Sequence, residues 1–264
     1  LTRQQQANKN APYGNAASNP AGEIAKIMPS SLAASNPFNT TGTDITILDG
    51  IQGGWAAIEG SYDTIRRTLK TLHEDYGNKV DLWIHLGRGP WDHVTCERRA
   101  YRQDFTSSWL TEQAYEGYYL GPDNEKQSVA DLGPCPWMNV PMGLNSEIDI
   151  NTVVVSANAG LKTAAQQHEA GEESTAQTPL EIKSHVEAGN AGCGFAFYES
   201  LANCFAMGRK RDILFVHVPR QETPAALEKG RDAVLAIVGA SIASIMTRAR
   251  APPADFKTEF GKEL

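Results

Sequence analysis

The stretch from Asp212 to Arg248 constrains the fold of this chain more than any other. Asp212-Ile-Leu-Phe-Val-His217-Val218 is an apolar run of strand length, with no polar alternation that would leave one face in water. After Pro219 and a short polar connection, Pro224 opens a long helical stretch that runs to Arg248. A strand buried on both faces that leads straight into a helix belongs to a sheet covered by helices, and such sheets are mostly parallel. The pattern recurs upstream. Ser61 to Tyr76 is predicted to form an amphipathic helix with Ile65, Leu69 and Leu72 on one face, and Val80 to Leu86 a buried strand ending at Gly87-Arg-Gly-Pro90. Val94 to Arg99 is extended, and Asp44 to Leu48 and Val153 to Ser156 are predicted as further strands. The expected fold is one α/β domain over residues 1–264, a mixed, mostly parallel sheet with helices on both faces in an α/β/α sandwich.

Three segments depart from that rhythm. Residues 121–144 are rich in Pro, Gly and Asn and are expected to form a long surface loop or flap. Residues 166–178 are acidic and polar and are expected to be a second loop insertion, and 251–264 a loose tail after the helix. The opening Leu1-Thr-Arg-Gln-Gln-Gln is too polar to predict a buried central strand, and a start at Leu1 rather than Met is what a processed or truncated chain would show.

The net charge is −7, and no basic cluster offsets it, which excludes nucleic acid and anionic membrane as expected partners. The apolar run from Ala233 to Met246 is shorter than a membrane span, and Leu1 to Gly14 lacks the apolar core of a secretion signal. Four cysteines with no C-x-x-C pair suggest neither a zinc site nor a disulfide framework. The expectation is a cytoplasmic protein with no metal and no cofactor, with homo-oligomer formation left open. Asn39-Thr-Thr41 has the form of a glycosylation acceptor, a pattern short enough to arise by chance.

Cys193 follows a glycine-rich turn, Ala188-Gly-Asn-Ala-Gly192, and opens an apolar helical run. Unpaired N–H groups at a helix start stabilise a thiolate, so a cysteine placed there is a candidate nucleophile. His217 ends the buried strand, where sites on open α/β sheets gather, and is the candidate base. His85 and His93 lie near a neighbouring strand end as rival bases, while Cys96 and Cys204 are expected to be buried and Trp83 and Trp91 to pack.

Ala188-Gly189 with Cys193, then Tyr198, Ser200 and Leu201, then Phe215-x-His217-Val-Pro219, resembles the pyroglutamyl peptidase I (pyrrolidone carboxyl peptidase) family, and its fungal-type members most of all. Val94-Thr-Cys-Glu97-Arg98 is similar to the family's Thr-Ile-Glu-Arg segment, and Asn19-Pro20 to its Asn-Pro-Ser. The resemblance implies a cysteine exopeptidase that removes N-terminal pyroglutamate from peptides through Cys193, His217 and Glu97. In those roles Cys193 is the nucleophile, His217 the general base, and Glu97 the carboxylate that orients the imidazole. The family's Gly-Phe-x-Pro-Phe, whose aromatic rings hold the pyroglutamyl ring, is here Lys9-Asn10-Ala-Pro-Tyr13, which makes Tyr13 and Asn10 the candidate substrate-binding residues. Arg88, after the glycine of the next loop, joins them, and the 121–144 loop offers Trp137 or Met142 as an apolar cover. Gly192 and Gly194 stand where the family has bulkier residues. Two alternatives follow from these departures: a non-catalytic homologue acting as a binding or assembly subunit, and an amidase of different acyl specificity.

Overall fold

The computed structural model of the protein describes residues 2–5, 19–48, 57–105, 118–119, 123, 125–169 and 178–248. In chain order the elements are β1 (Thr2–Gln5), α1 (Pro20–Lys26), β2 (Ser31–Leu32), β3 (Ile45–Thr46), β4 (Ala57–Glu59), α2 (Tyr62–Tyr76), β5 (Trp83–Arg88) and β6 (Val94–Tyr101). They continue as β7 (Gly143–Asn145), α3 (Ile150–Glu169), β8 (Ile182–Glu187), α4 (Gly192–Ala206), β9 (Ile213–Val218) and α5 (Pro224–Arg248). Seven strands form one mixed sheet in the order β4-β1-β5-β9-β6-β7, with β8 paired to β6. Pairings β1–β4, β1–β5, β5–β9 and β6–β8 are parallel, whereas β6 runs antiparallel to both β9 and β7. This is a single α/β domain with helices on both faces of a mostly parallel sheet.

Strand parity divides the core. Along β5 and β9, Ile84, Leu86, Leu214, Val216 and Val218 face one layer and pack with apolar residues of α1, α3 and α5. Their alternates Trp83, Ile213 and Phe215 face the other and pack with α2 and α4. The period of two along a strand is what delivers every second residue to α4, and His217 is the last of that series on β9. Helix α5 carries an unbroken buried stretch from Ala233 to Ser241. It is long and apolar enough to cross a membrane, but more than half of that stretch is buried within the protein, where it acts as a core helix.

The helix from Ser61 is set by its cap. The Ser61 hydroxyl accepts from the Thr64 N–H, and Ile65, Leu69 and Leu72 are all buried. Four expectations are corrected. Val153 to Ser156 lies within α3, because Ile150, Val153, Ala157, Leu161 and Ala164 recur at helical spacing and are buried while Val155 is exposed. The same helix continues through Glu169, so residues 166–169 are helical rather than part of a loop; 170–177 lie outside the described residues. The opening Thr2–Gln5 forms a strand paired on both sides, with β4 and β5, since main-chain ladder bonds do not depend on side-chain polarity. The strand expected at Asp44–Leu48 shortens to β3, which pairs with β2 outside the main sheet.

Asn39 is structural. It is 6% exposed, and its amide nitrogen donates to the carbonyls of Leu32, Ala33 and Thr43, which closes it to glycosylation in the folded protein. The 121–144 loop, where described, is packed down: Val129, Cys135 and Val140 are buried, with a 3-10 turn at Val129–Leu132. The 251–264 tail lies outside the described residues.

Candidate active site

Helix α4 begins where the chain leaves β8. The Ala188 N–H donates to the Arg99 carbonyl, and Gly189 turns the chain with φ +81°. The turn then runs under the first helical residues. A Cβ on Gly194 would sit 1.8 Å from the Gly189 carbonyl oxygen, so only glycine permits this approach. That explains a glycine beside Cys193. Ala191 occupies the cap position and has no side-chain oxygen to take the first-turn N–H groups. Cys193, second in the helix, is half-buried against the aromatic layer formed by α2 and α4. The floor beneath it is bare backbone: a Cβ on Gly87 of β5 would lie 3.1 Å from the Cys193 Sγ and 2.7 Å from the Phe215 ring.

Strand register brings the remaining groups to this point. His217 on β9 lies opposite Gly87 on one side and Thr95 on the other. Glu97, two residues beyond Thr95, therefore shares its face of the sheet. His217 Nδ1 is 2.8 Å from Glu97 Oε1, which also accepts from the Thr95 hydroxyl at 2.5 Å. The Cys193 sulfur lies over Gly87, the register partner of His217, and so stands beside the imidazole. With Nδ1 committed to Glu97, Nε2 is the nitrogen left for sulfur. Glu97 is 0% exposed and His217 6%. Burial disfavours charge on the imidazole, but the hydrogen bonds to Cys193 and Glu97 and their negative charge outweigh it and raise the His217 pKa to about 10.

Sequence reasoning missed one member of this group. His185 on β8 lies directly opposite Glu97, and its Nδ1 is 2.7 Å from Glu97 Oε2 and 2.8 Å from the Glu187 carbonyl oxygen. Trp91, in the β5–β6 turn, packs against both histidines, with ring centroids 4.9 Å from His185 and 5.9 Å from His217. The signal for His185 was weak. Of the six residues of β8 only Ile182 is buried, so its pattern did not announce a strand.

The rival bases fall away. His85 is buried, is hydrogen-bonded to the Ser200 hydroxyl at 2.9 Å, and is pushed down to about 3 by burial and by His73. His93 pairs with the exposed Asp92. Cys96 and Cys204 are buried as expected, and burial pushes both thiols up, Cys204 to about 11. Arg88 ends β5 opposite Val218, half-buried, one residue past Gly87. Tyr13 and Asn10 lie outside the described residues. Trp137 is not a free cover: its indole N–H donates to Glu199 Oε2 on α4 at 2.9 Å, and Arg66 pairs with the same carboxylate. Met142 is 48% exposed. A separate cavity of about 260 Å³ is lined by residues including Ile24, Asp92, Leu180, Pro219 and Lys229, and by neither Cys193 nor His217. Among the described residues no group of three or more His, Cys, Asp or Glu is arranged to hold a metal ion.

No protein-family model and no curated protein sequence matches the chain. Solved structures do. The pyrrolidone carboxyl peptidase of Thermococcus litoralis superposes with a TM-score of 0.58 at 17% identity, covering 92% of this chain and 94% of that one. The Pyrococcus furiosus enzyme gives 0.54 at 19% identity, covering 90% and 95%. The Thermus thermophilus enzyme gives 0.51 at 21% identity, covering 86% and 95%. The chain has the fold of the pyrrolidone carboxyl peptidases over nearly its whole length.

Proposed function

We propose that this protein is a cysteine peptidase that removes N-terminal pyroglutamate from peptides, with Cys193 as nucleophile, His217 as acid–base group and Glu97 as its orienting carboxylate. One observation carries the reading: an imidazole held by a buried carboxylate stands beside a half-buried cysteine at a helix start. The fold shared with the pyrrolidone carboxyl peptidases supports pyroglutamyl peptides as the substrate class.

The chemistry follows from the atoms. With its pKa raised, His217 already holds the proton at Nε2 near neutral pH, and the Cys193 sulfur attacks the carbonyl carbon that joins the pyroglutamyl residue to the next one. The C–N bond breaks as His217 gives the proton to the departing amine, leaving a thioester. Water then attacks the thioester, giving its proton to His217. Collapse releases pyroglutamate and leaves the proton on His217 beside the freed sulfur. Glu97 holds the imidazole with Nδ1–H toward itself and stabilises the imidazolium before the first transfer and after the second. The oxyanion lies within reach of the first-turn N–H groups of α4, contacts worth about 3 kcal/mol each in comparable sites. Tyr13, Asn10 and Arg88 remain the proposed contacts for the pyroglutamyl ring.

Hydrolysis of a fluorogenic pyroglutamyl-amide by the purified chain tests this directly. Turnover that is lost on alkylation of Cys193 is the expected result. A reactive Cys193 with no turnover of any pyroglutamyl-amide, but cleavage of another acyl-amide, would select the amidase of different specificity; no cleavage of either would select the non-catalytic homologue.

A further inference from the structure

We infer that His185 is a positioning residue for this reaction, holding the second oxygen of Glu97 so that the first stays on His217; the inference rests on the Cys193–His217–Glu97 reading. Glu97 is wholly buried, and its hydrogen-bond partners are the Thr95 hydroxyl and His217 Nδ1 on Oε1 and His185 Nδ1 on Oε2. None of these is an arginine or a lysine. A buried carboxylate with no arginine or lysine beside it depends on each of its donors, because an oxygen left bare inside the protein keeps its full desolvation cost.

The tautomer of His185 is fixed by what surrounds it. Its Nδ1 meets two acceptors, Glu97 Oε2 and the Glu187 carbonyl. Two acceptors require a proton on that nitrogen, so His185 donates to Glu97 and cannot accept a proton there from the catalytic side. The His185 side chain is 40% exposed. The ring has little freedom to leave. Trp91 packs across it, and the parallel register of β8 on β6 sets its backbone opposite Glu97. Without His185, Oε2 loses its protein donor, and rotation of the carboxylate toward another partner degrades the Oε1 contact with His217.

The test compares the full chain with His185→Phe and His185→Asn. Phenylalanine removes the donor. Asparagine places an amide N–H near the position of Nδ1 and carries no charge. The expected result is a kcat about tenfold lower for His185→Phe on a pyroglutamyl-amide, with KM unchanged and most of the loss recovered by His185→Asn. The rate of Cys193 alkylation by iodoacetamide at neutral pH should fall and recover in the same order, and this readout needs no substrate. Equal kcat and equal alkylation rates in wild type and His185→Phe would overturn the role. If His185→Phe does not fold, the nitrogen-15 spectrum of the wild-type imidazoles decides: His185 protonated only at Nε2 overturns it, and protonation at Nδ1 supports it. A wild type inert toward pyroglutamyl-amides, with alkylation still responding to position 185, would sink the substrate assignment and leave the positioning role standing.

Discussion

Helix α4 carries three side chains of nucleophile type, Cys193 at its start and Ser200 with Cys204 further along, and histidines from outside the helix meet both groups. Their environments are opposite. Ser200 is 0% exposed and sits between His73 Nε2 at 2.5 Å and His85 Nε2 at 2.9 Å, with the Cys204 sulfur 3.7 Å from His73 Nδ1. Burial and the Arg209 charge push His73 down to about 4, and burial and His73 push His85 down to about 3. His217, also buried, is instead raised to about 10. Only one phenyl ring intervenes: Phe215 stacks on His85 at 5.9 Å between centroids and lies 4.9 Å from His217. Glu97 and Cys193 make the difference, because negative partners offset the desolvation that otherwise strips the proton. A histidine beside a hydroxyl or thiol is therefore not yet a base. Its charge partners decide.

The strongest way to break this comparison is to exchange the nucleophiles' fates. Cys193→Ala should lower pyroglutamyl-amide hydrolysis by about 10⁴-fold or more, while Ser200→Ala leaves kcat unchanged. Loss of activity in the serine variant while its fold is intact would refute the division. Removing the charge comes next. Glu97→Gln should reduce kcat by about 10³-fold, and the His217 titration midpoint, followed by NMR, should drop from about 10 toward 6.5. An unmoved midpoint would show that Cys193 alone holds the proton.

The two clusters should also answer pH in opposite directions. His73 and His85 titrate below the unfolded value of 6.5, so the unfolded chain binds more protons and stability falls as pH drops below 6.5. By pH 5 the loss is on the order of 2 kcal/mol per histidine, visible as a lower melting temperature. His217 contributes the reverse. Its folded pKa is raised, so its stabilisation is complete below 6.5 and is lost as pH rises through about 10. A melting temperature flat between pH 7 and 5 would contradict the buried neutral pair. The smallest expected effect is on stability in Ser200→Ala, about 1–3 kcal/mol in denaturant unfolding, from two imidazole nitrogens left without their hydroxyl.

What the sequence shows of this molecule depends on how burial writes itself. Strands β5 and β9 and helix α5 are covered on most sides, so their apolar runs are continuous and stand out. Cys193 and His217, the proposed nucleophile and base, are legible for the same reason, since each sits in or beside such a run; Glu97 is legible only through the family resemblance of residues 94–98. Elements with one buried side or none are harder to see. The β8 strand buries Ile182 alone, which hid both the strand and His185. The β1 strand is polar, and its place in the sheet shows only in the backbone pairing. Helix α3 was obscured differently: Val153-Val-Val155 imitates a strand, and only the longer recurrence from Ile150 to Ala164 exposes the helix.

The contact between Gly194 and the Gly189 carbonyl also bears on how this chain could change over generations. No residue with a Cβ fits at 194 while the turn keeps its present course, because the carbonyl would be 1.8 Å away. The turn itself depends on a left-handed residue at 189. Neither position can drift alone. A descendant that acquired a larger side chain beside its cysteine would have to reshape the approach and the helix start together. Single-step variation at this corner is closed, whatever activity the rest of the site gains or loses.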